Sequence, residues 1–95
     1  MPNPAKTDFT IHPLLANRYS PRAFLDKPID PGALKRIFEA ARWSPSCNND
    51  QEWFYIAGIR NQGPDFSRIC STLTPNNQTW ASHAAVLMIV CGRTA

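Results

Sequence analysis

Residues 85–91, Ala-Val-Leu-Met-Ile-Val-Cys, are apolar at every position, and no other feature constrains the fold of this chain so tightly. A strand with one wet face alternates apolar and polar residues. An unbroken apolar run instead fits a strand buried on both faces, at the centre of a sheet. Such a strand needs a neighbour along each edge and cover over each face. One other strand is expected, over residues 53–59 (Trp-Phe-Tyr-Ile-Ala-Gly-Ile), which is aromatic and β-branched. Two strands cannot meet those demands within 95 residues. The reading at this point is that further strands come from a partner chain, or that the sequence is a fragment of a longer protein.

The rest of the chain reads as helix and loop. Residues 1–8, with two prolines and an Asn, form a poorly ordered lead-in. Ile11, Leu14 and Leu15 at helical spacing predict a short helix over residues 11–17. Asp30-Pro31 opens the clearest helix, with Asp30 at the N-cap and Pro31 in the first position. Leu34, Ile37, Phe38 and Ala41 follow as an apolar stripe. Ser44-Pro45 ends that helix, because Pro pushes its predecessor out of helical geometry. Helices are also expected over residues 64–73, with Phe66, Ile69, Cys70 and Leu73 on one face, and over residues 76–83. The order of helix, helix, strand, helix, helix, strand places the chain in the α+β class, a mixed α/β sandwich.

Composition excludes several functions. A net charge of +3 is mild, and the basic residues are scattered, so there is no nucleic-acid stripe. The longest apolar run, residues 84–91, falls far short of the ~20 residues that span a bilayer. The N-terminus lacks the apolar stretch of a signal peptide. Cys47, Cys70 and Cys91 make an odd set without C-x-x-C spacing, which argues against a disulfide framework or zinc site and for a reducing cytoplasm. His12 and His83 share no ligand-like spacing.

Two polar segments could carry chemistry. Arg18, Ser20 and Arg22 alternate, so in extended backbone they point to one side. Two guanidinium forks and a hydroxyl suit a phosphate. Read blandly, the same residues make a solvated turn with a helix-capping Ser. Residues 44–53, Ser-Pro-Ser-Cys-Asn-Asn-Asp-Gln-Glu-Trp, form a polar loop between a helix and a strand, where a flat polar ligand could meet backbone and amide groups. The plain alternatives are a loop amide at Asn49 bonding its own backbone, and structural roles for Gln51 and Trp53. Cys47 has no His near it in sequence to lower its pKa, so it reads as an inert loop thiol.

Taken in order, Arg18-Tyr19-Ser20-Pro21-Arg22-Ala23-Phe24, then Ser44-Pro45-Ser46-Cys47-Asn48-Asn49-Asp50-Gln51-Glu52-Trp53, then Asn77-Gln78-Thr79-Trp80-Ala81 with residues 84–90 resemble the nitroreductase family of FMN-dependent oxidoreductases. The resemblance covers residues 14–90, as three blocks with compatible spacing. Glu52 stands where the family usually has Pro, and Ala84-Ala85 where it often has Ala-Pro. The chain is also shorter than family members and resembles their N-terminal half only, so that residues 9–95 would be the N-terminal part of a nitroreductase-like domain.

The resemblance implies an FMN-binding fold, here apparently truncated, in which Arg18, Ser20 and Arg22 hold the flavin phosphate and Tyr19 lies near the ribityl chain. It implies that Pro45, Ser46, Cys47 and Asn49 lie beside the flavin ring of a partner subunit in a homodimer. Asn77 would reach the polar edge of the ring or the ribityl chain, its bland reading being an N-terminal helix residue. Trp80 would be core or pocket wall. No side chain is implied as a nucleophile. NADH or NADPH would be the electron donor, and an electron-poor small molecule such as a nitroaromatic or quinone the acceptor. Two other readings remain open, a non-catalytic flavin-binding remnant or interaction module, and a small basic binding module without flavin.

Overall fold

In the computed structural model, which describes residues 3–94, four helices and two strands follow in the order α1 (Pro13–Ala16), α2 (Pro31–Arg42), β1 (Trp53–Ile59), α3 (Asp65–Ser71), α4 (Pro75–Ala81) and β2 (Val86–Gly92). The α+β expectation holds. The first helix is shorter than residues 11–17. His12 caps it through Nδ1, which accepts from the Leu14 N–H at 3.1 Å. Leu14 and Leu15 point to solvent rather than into a core, at 79% and 66% exposed. One turn is too short to set an apolar stripe against anything. Of the lead-in, Met1 and Pro2 lie outside the described residues, and the Ala5 N–H donates to the Ala16 carbonyl at 2.8 Å.

α2 begins where local chemistry requires. The Asp30 carboxylate accepts from the Ala33 N–H at 3.2 Å, and Pro31 occupies the first turn, where its missing N–H costs nothing. Its apolar stripe is only partly covered. Phe38 meets Tyr55 of β1 with ring centroids 5.4 Å apart, whereas Ile37 stays 50% exposed.

The two strands pair antiparallel, from Trp53 opposite Gly92 to Ile59 opposite Val86. Opposed residues share a face. Tyr55, Val90, Ala57 and Met88 therefore face α2. Phe54, Ile56, Ile89, Gly58 and Leu87 face the other way, and α3 lies over the Gly58 end of that face. A Cβ on Gly58 would come within 2.6 Å of Phe66 Cα and 2.7 Å of Asp65 C, so the residue is glycine because the helix backbone sits directly on the strand. Phe66 and Ile69 of α3, Ala81 of α4 and Ala84 are the buried apolar residues of the described chain.

The expectation that residues 85–91 are buried on both faces is not met within this chain. β2 has β1 as its only neighbour among the described residues, and Val90 is 66% exposed. Phe54 is 56% and Ile56 43% exposed on the opposite face of β1. The cause is a shortage of cover, since α3 reaches only the Gly58 end of one face and α2 meets the other through Phe38 on Tyr55. The accessible surface is 8166 Å², against about 5,500 Å² for a compact chain of this mass. The radius of gyration is 16.0 Å, against about 12 Å for a self-contained domain of this length. Apolar strand faces of this extent fit a contact with more protein.

Candidate functional site

The Arg18–Arg22 block lies in a stretch with no helix or strand of its own, between α1 and α2. Side chains therefore decide where it sits. Arg18 Nη1 donates to Ser20 Oγ at 3.3 Å, so alternation does bring these two groups together. The Arg22 guanidinium carbon stands 6.0 Å from the ring centroid of Trp80 on α4, near the outer limit of a cation–π contact. Phe24 stacks on the same indole, with centroids 6.3 Å apart and planes inclined by 27°. Further along, Asp26 Oδ1 accepts from Arg60 Nη2 at 3.1 Å, while Arg60 Nη1 donates to the His83 carbonyl. Arg60 is mostly covered, whereas the Asp26 side chain stands in solvent.

Trp80 also reaches Asn77, whose Oδ1 accepts from the indole Nε1–H at 3.3 Å. One indole thus touches Arg22, Phe24 and Asn77. The arginine block and the Asn77 block, far apart in sequence, meet across it. Arg18 and Arg22, like Arg36 and Arg68, have no carboxylate partner among the described residues, whereas Arg42, Arg60 and Arg93 each have one. Two unneutralised guanidiniums with a hydroxyl fit an anionic phosphate. Tyr19, between Arg18 and Ser20 in sequence, is 47% exposed.

The second group is built on a tight left-handed turn. Cys47–Asn49 form a single 3₁₀ turn, with φ of 53° at Asn48, 54° at Asn49 and 49° at Gln51. Asn tolerates this region because its short amide bonds locally, while Gln51 pays about 1–2 kcal/mol for it. Local bonds hold the turn. Ser46 Oγ accepts from the Gln51 N–H at 3.1 Å, and Gln51 Nε2 donates to Asn49 Oδ1 at 3.0 Å. Arg93, just past β2, clamps it from outside by an ion pair to Asp50 at 2.8 Å.

A cleft of about 460 Å³ opens beside this turn, lined by Arg42, Trp43, Ser44, Pro45, Ser46, Asn49 and Gln51, within the ~300–1,000 Å³ typical of small-molecule sites. Trp43 is 74% exposed, with its Nε1–H given to Glu39 at 3.0 Å and Arg42 over its ring. Of the four loop residues singled out in the sequence, Pro45, Ser46 and Asn49 line the cleft; Cys47 is an exposed free thiol outside it. Gln51 lines it too and fixes Asn49, so its structural reading describes its bonds but not its place.

Among the described residues, no hydrogen bond or ion pair joins the Arg18–Arg22–Asn77 group to the loop group. The sequence marked Trp80 only as core or pocket wall and missed Arg60 and Arg93 as anchors. The Asn-Asn dipeptide was the available signal for the left-handed turn. No described helix is long and apolar enough to cross a membrane, and no group of three metal-ligating side chains occurs among the described residues.

A solved structure described as an oxidoreductase containing FMN superposes on this chain with a TM-score of 0.86 at 33% identity, covering 93% of this chain and 44% of the other. The chain therefore spans less than half the length of that protein. No curated protein sequence matches it significantly. The family model for nitroreductases matches residues 15–90, which hold both candidate groups. With that match over most of its length and a fold shared with an FMN-containing oxidoreductase, the chain belongs to the nitroreductase family.

Proposed function

We propose that this chain forms part of a flavin mononucleotide site in an oxidoreductase that takes electrons from NADH or NADPH and passes them to a nitroaromatic, a quinone or a similar electron-poor acceptor. The observation that carries the reading is the meeting of Arg22 and Asn77 at Trp80, with Arg18 bonded to Ser20 in the same short segment as Arg22. It brings one cation to a side-chain amide, and a second cation and a hydroxyl follow in the same segment, which supports a ligand carrying both a phosphate and a polar ring edge.

The flavin, when bound, supplies the electron transfer, and the protein's part is binding, orientation and electrostatics. Arg18, Ser20 and Arg22 hold the phosphate, with Tyr19 near the ribityl chain. Asn77 keeps Oδ1 on the indole, leaving its Nδ2 to donate to the ring edge or ribityl chain. The turn carrying Pro45, Ser46, Cys47 and Asn49 closes the ring side across an interface with a second copy. The lack of contact between the two groups within one chain supports this division, as does the uncovered apolar surface of the sheet.

That same uncovered surface favours a second reading, in which the 95-residue chain retains the fold but holds flavin weakly and does not turn over. One experiment addresses both. FMN is titrated into the chain and into an Arg18→Ala/Arg22→Ala double variant, followed by flavin fluorescence, and NADH or NADPH is then added to the yellow complex. Each charge-assisted pair contributes on the order of 1.5–3 kcal/mol, so the double variant loses roughly a hundredfold or more in affinity. Equal affinity in both refutes the phosphate assignment. Bound flavin that does not bleach with either nicotinamide selects the non-catalytic reading.

A further inference from the structure

We propose that Trp80 is a positioning residue that sets Arg22 and Asn77 relative to one another. This builds on the flavin reading for its purpose, but not for its geometry. The stretch from Arg18 to Asp26 has no backbone ladder, so its place on the protein depends on side-chain anchors. Two of those, Arg22 and Phe24, land on one indole, 6.0 Å and 6.3 Å from its ring centroid. The third joins the mostly covered Arg60 to Asp26, whose carboxylate stands fully in solvent, so the pair contributes little. Trp80 is itself carried on α4, next to the buried Ala81, whereas the arginine stretch has no helix or strand of its own and is placed on the indole by its side chains.

The indole has two separable jobs. Its face receives the Arg22 cation and the Phe24 ring, which any aromatic side chain of similar area can do. Its Nε1–H occupies Asn77 Oδ1, which neither Phe nor Leu can do, as they carry no donor. That bond fixes which end of the Asn77 amide faces outward. With Oδ1 taken, Asn77 presents donors, as an electron-rich acceptor on a ligand requires; with Oδ1 released, the amide can turn over and present its oxygen.

Trp80→Phe and Trp80→Leu separate the two jobs. Tryptic cleavage at Arg22–Ala23, read by mass spectrometry against cleavage at Lys6–Thr7, reports docking without any flavin. Trp80→Leu raises that ratio by roughly tenfold, and Trp80→Phe leaves it within about twofold of the parent. The Asn77 side-chain amide resonances move in Trp80→Phe, although docking is kept. An unchanged ratio in Trp80→Leu, or unmoved Asn77 resonances in Trp80→Phe, overturns the proposal. Should Trp80→Leu unfold, the unsubstituted chain still decides the docking half. The Arg22 Nε–H resonance is displaced by the indole ring current relative to that of Arg18, and coincident resonances overturn it. FMN and riboflavin titrations then test the purpose. Trp80→Leu loses the preference for FMN over riboflavin, and Trp80→Phe keeps it. A chain that shows the cleavage split but binds neither ligand supports the positioning role and refutes only the flavin reading.

Discussion

Gly58→Ala tests the packing on which the whole site rests. The new methyl would lie 2.6 Å from Phe66 Cα and 2.7 Å from Asp65 C, where ordinary contact is 3.4–4 Å. Both atoms are backbone, so no rotamer change relieves the clash, and α3 must back away from β1 by about 1 Å. Overpacking of this kind costs about 1–3 kcal/mol. Here the displaced helix also carries Phe66 and Ile69, half of the four buried apolar residues, so the upper end of that range is expected. Urea unfolding followed by circular dichroism reads the effect. With a slope near 1 kcal/mol/M for a small chain, the midpoint falls by roughly 2–3 M, or the variant is unfolded in buffer. Gly92→Ala is the control, since a Cβ there meets nothing within 4 Å, and its midpoint stays within about 0.5 M. If Gly58→Ala and Gly92→Ala unfold together at the parent's midpoint, the close approach of α3 to the strand is wrong, and with it the seating of α4 and Trp80.

Asn49→Ala separates the two roles of the loop. As a local amide alone it costs about 2–3 kcal/mol of stability, through the lost bond from Gln51 and the left-handed φ that Ala must then adopt, and leaves flavin properties untouched, whereas beside the ring it also shifts the absorbance or reduction potential of bound FMN. The second outcome is expected, and identical flavin spectra for parent and variant reduce Asn49 to a structural residue. The exposed strand faces around Phe54, Ile56 and Val90 lead us to expect self-association, so light scattering at micromolar concentration gives a mass above that of one chain. A monodisperse monomer that binds no hydrophobic dye refutes it.

Features whose causes act within one turn of chain are legible in the amino-acid order alone. Asp30 and Pro31 start α2 because a carboxylate and a ring-fixed φ satisfy the first turn from within it. Residues 53–59 and 86–92 form strands because their side chains suit a pleated, covered surface. Their pattern could not say how much cover this chain provides. The family blocks are equally local, each a short run readable by itself. Where Leu14 and Leu15 mimicked a longer helix, spacing misled, because periodicity says which residues could share a face and not whether a face has anything to meet.

The tertiary structure alone decided what joins the blocks. The sequence by itself determined the α+β order, the start of α2 and the presence of two arginines flanking a serine. Only folding placed Trp80 under Arg22 and Phe24, turned its N–H to Asn77, put Arg60 beneath Asp26 and set Arg93 against Asp50. Apart from the Trp80–Asn77 bond within α4, each of these is a contact between segments with no local reason to meet, made possible by the antiparallel register of β1 on β2 and by the seating of α3 on Gly58, which set the surface on which the side chains land. Register and seating come from summed burial over the whole chain, a property that no short window of residues contains.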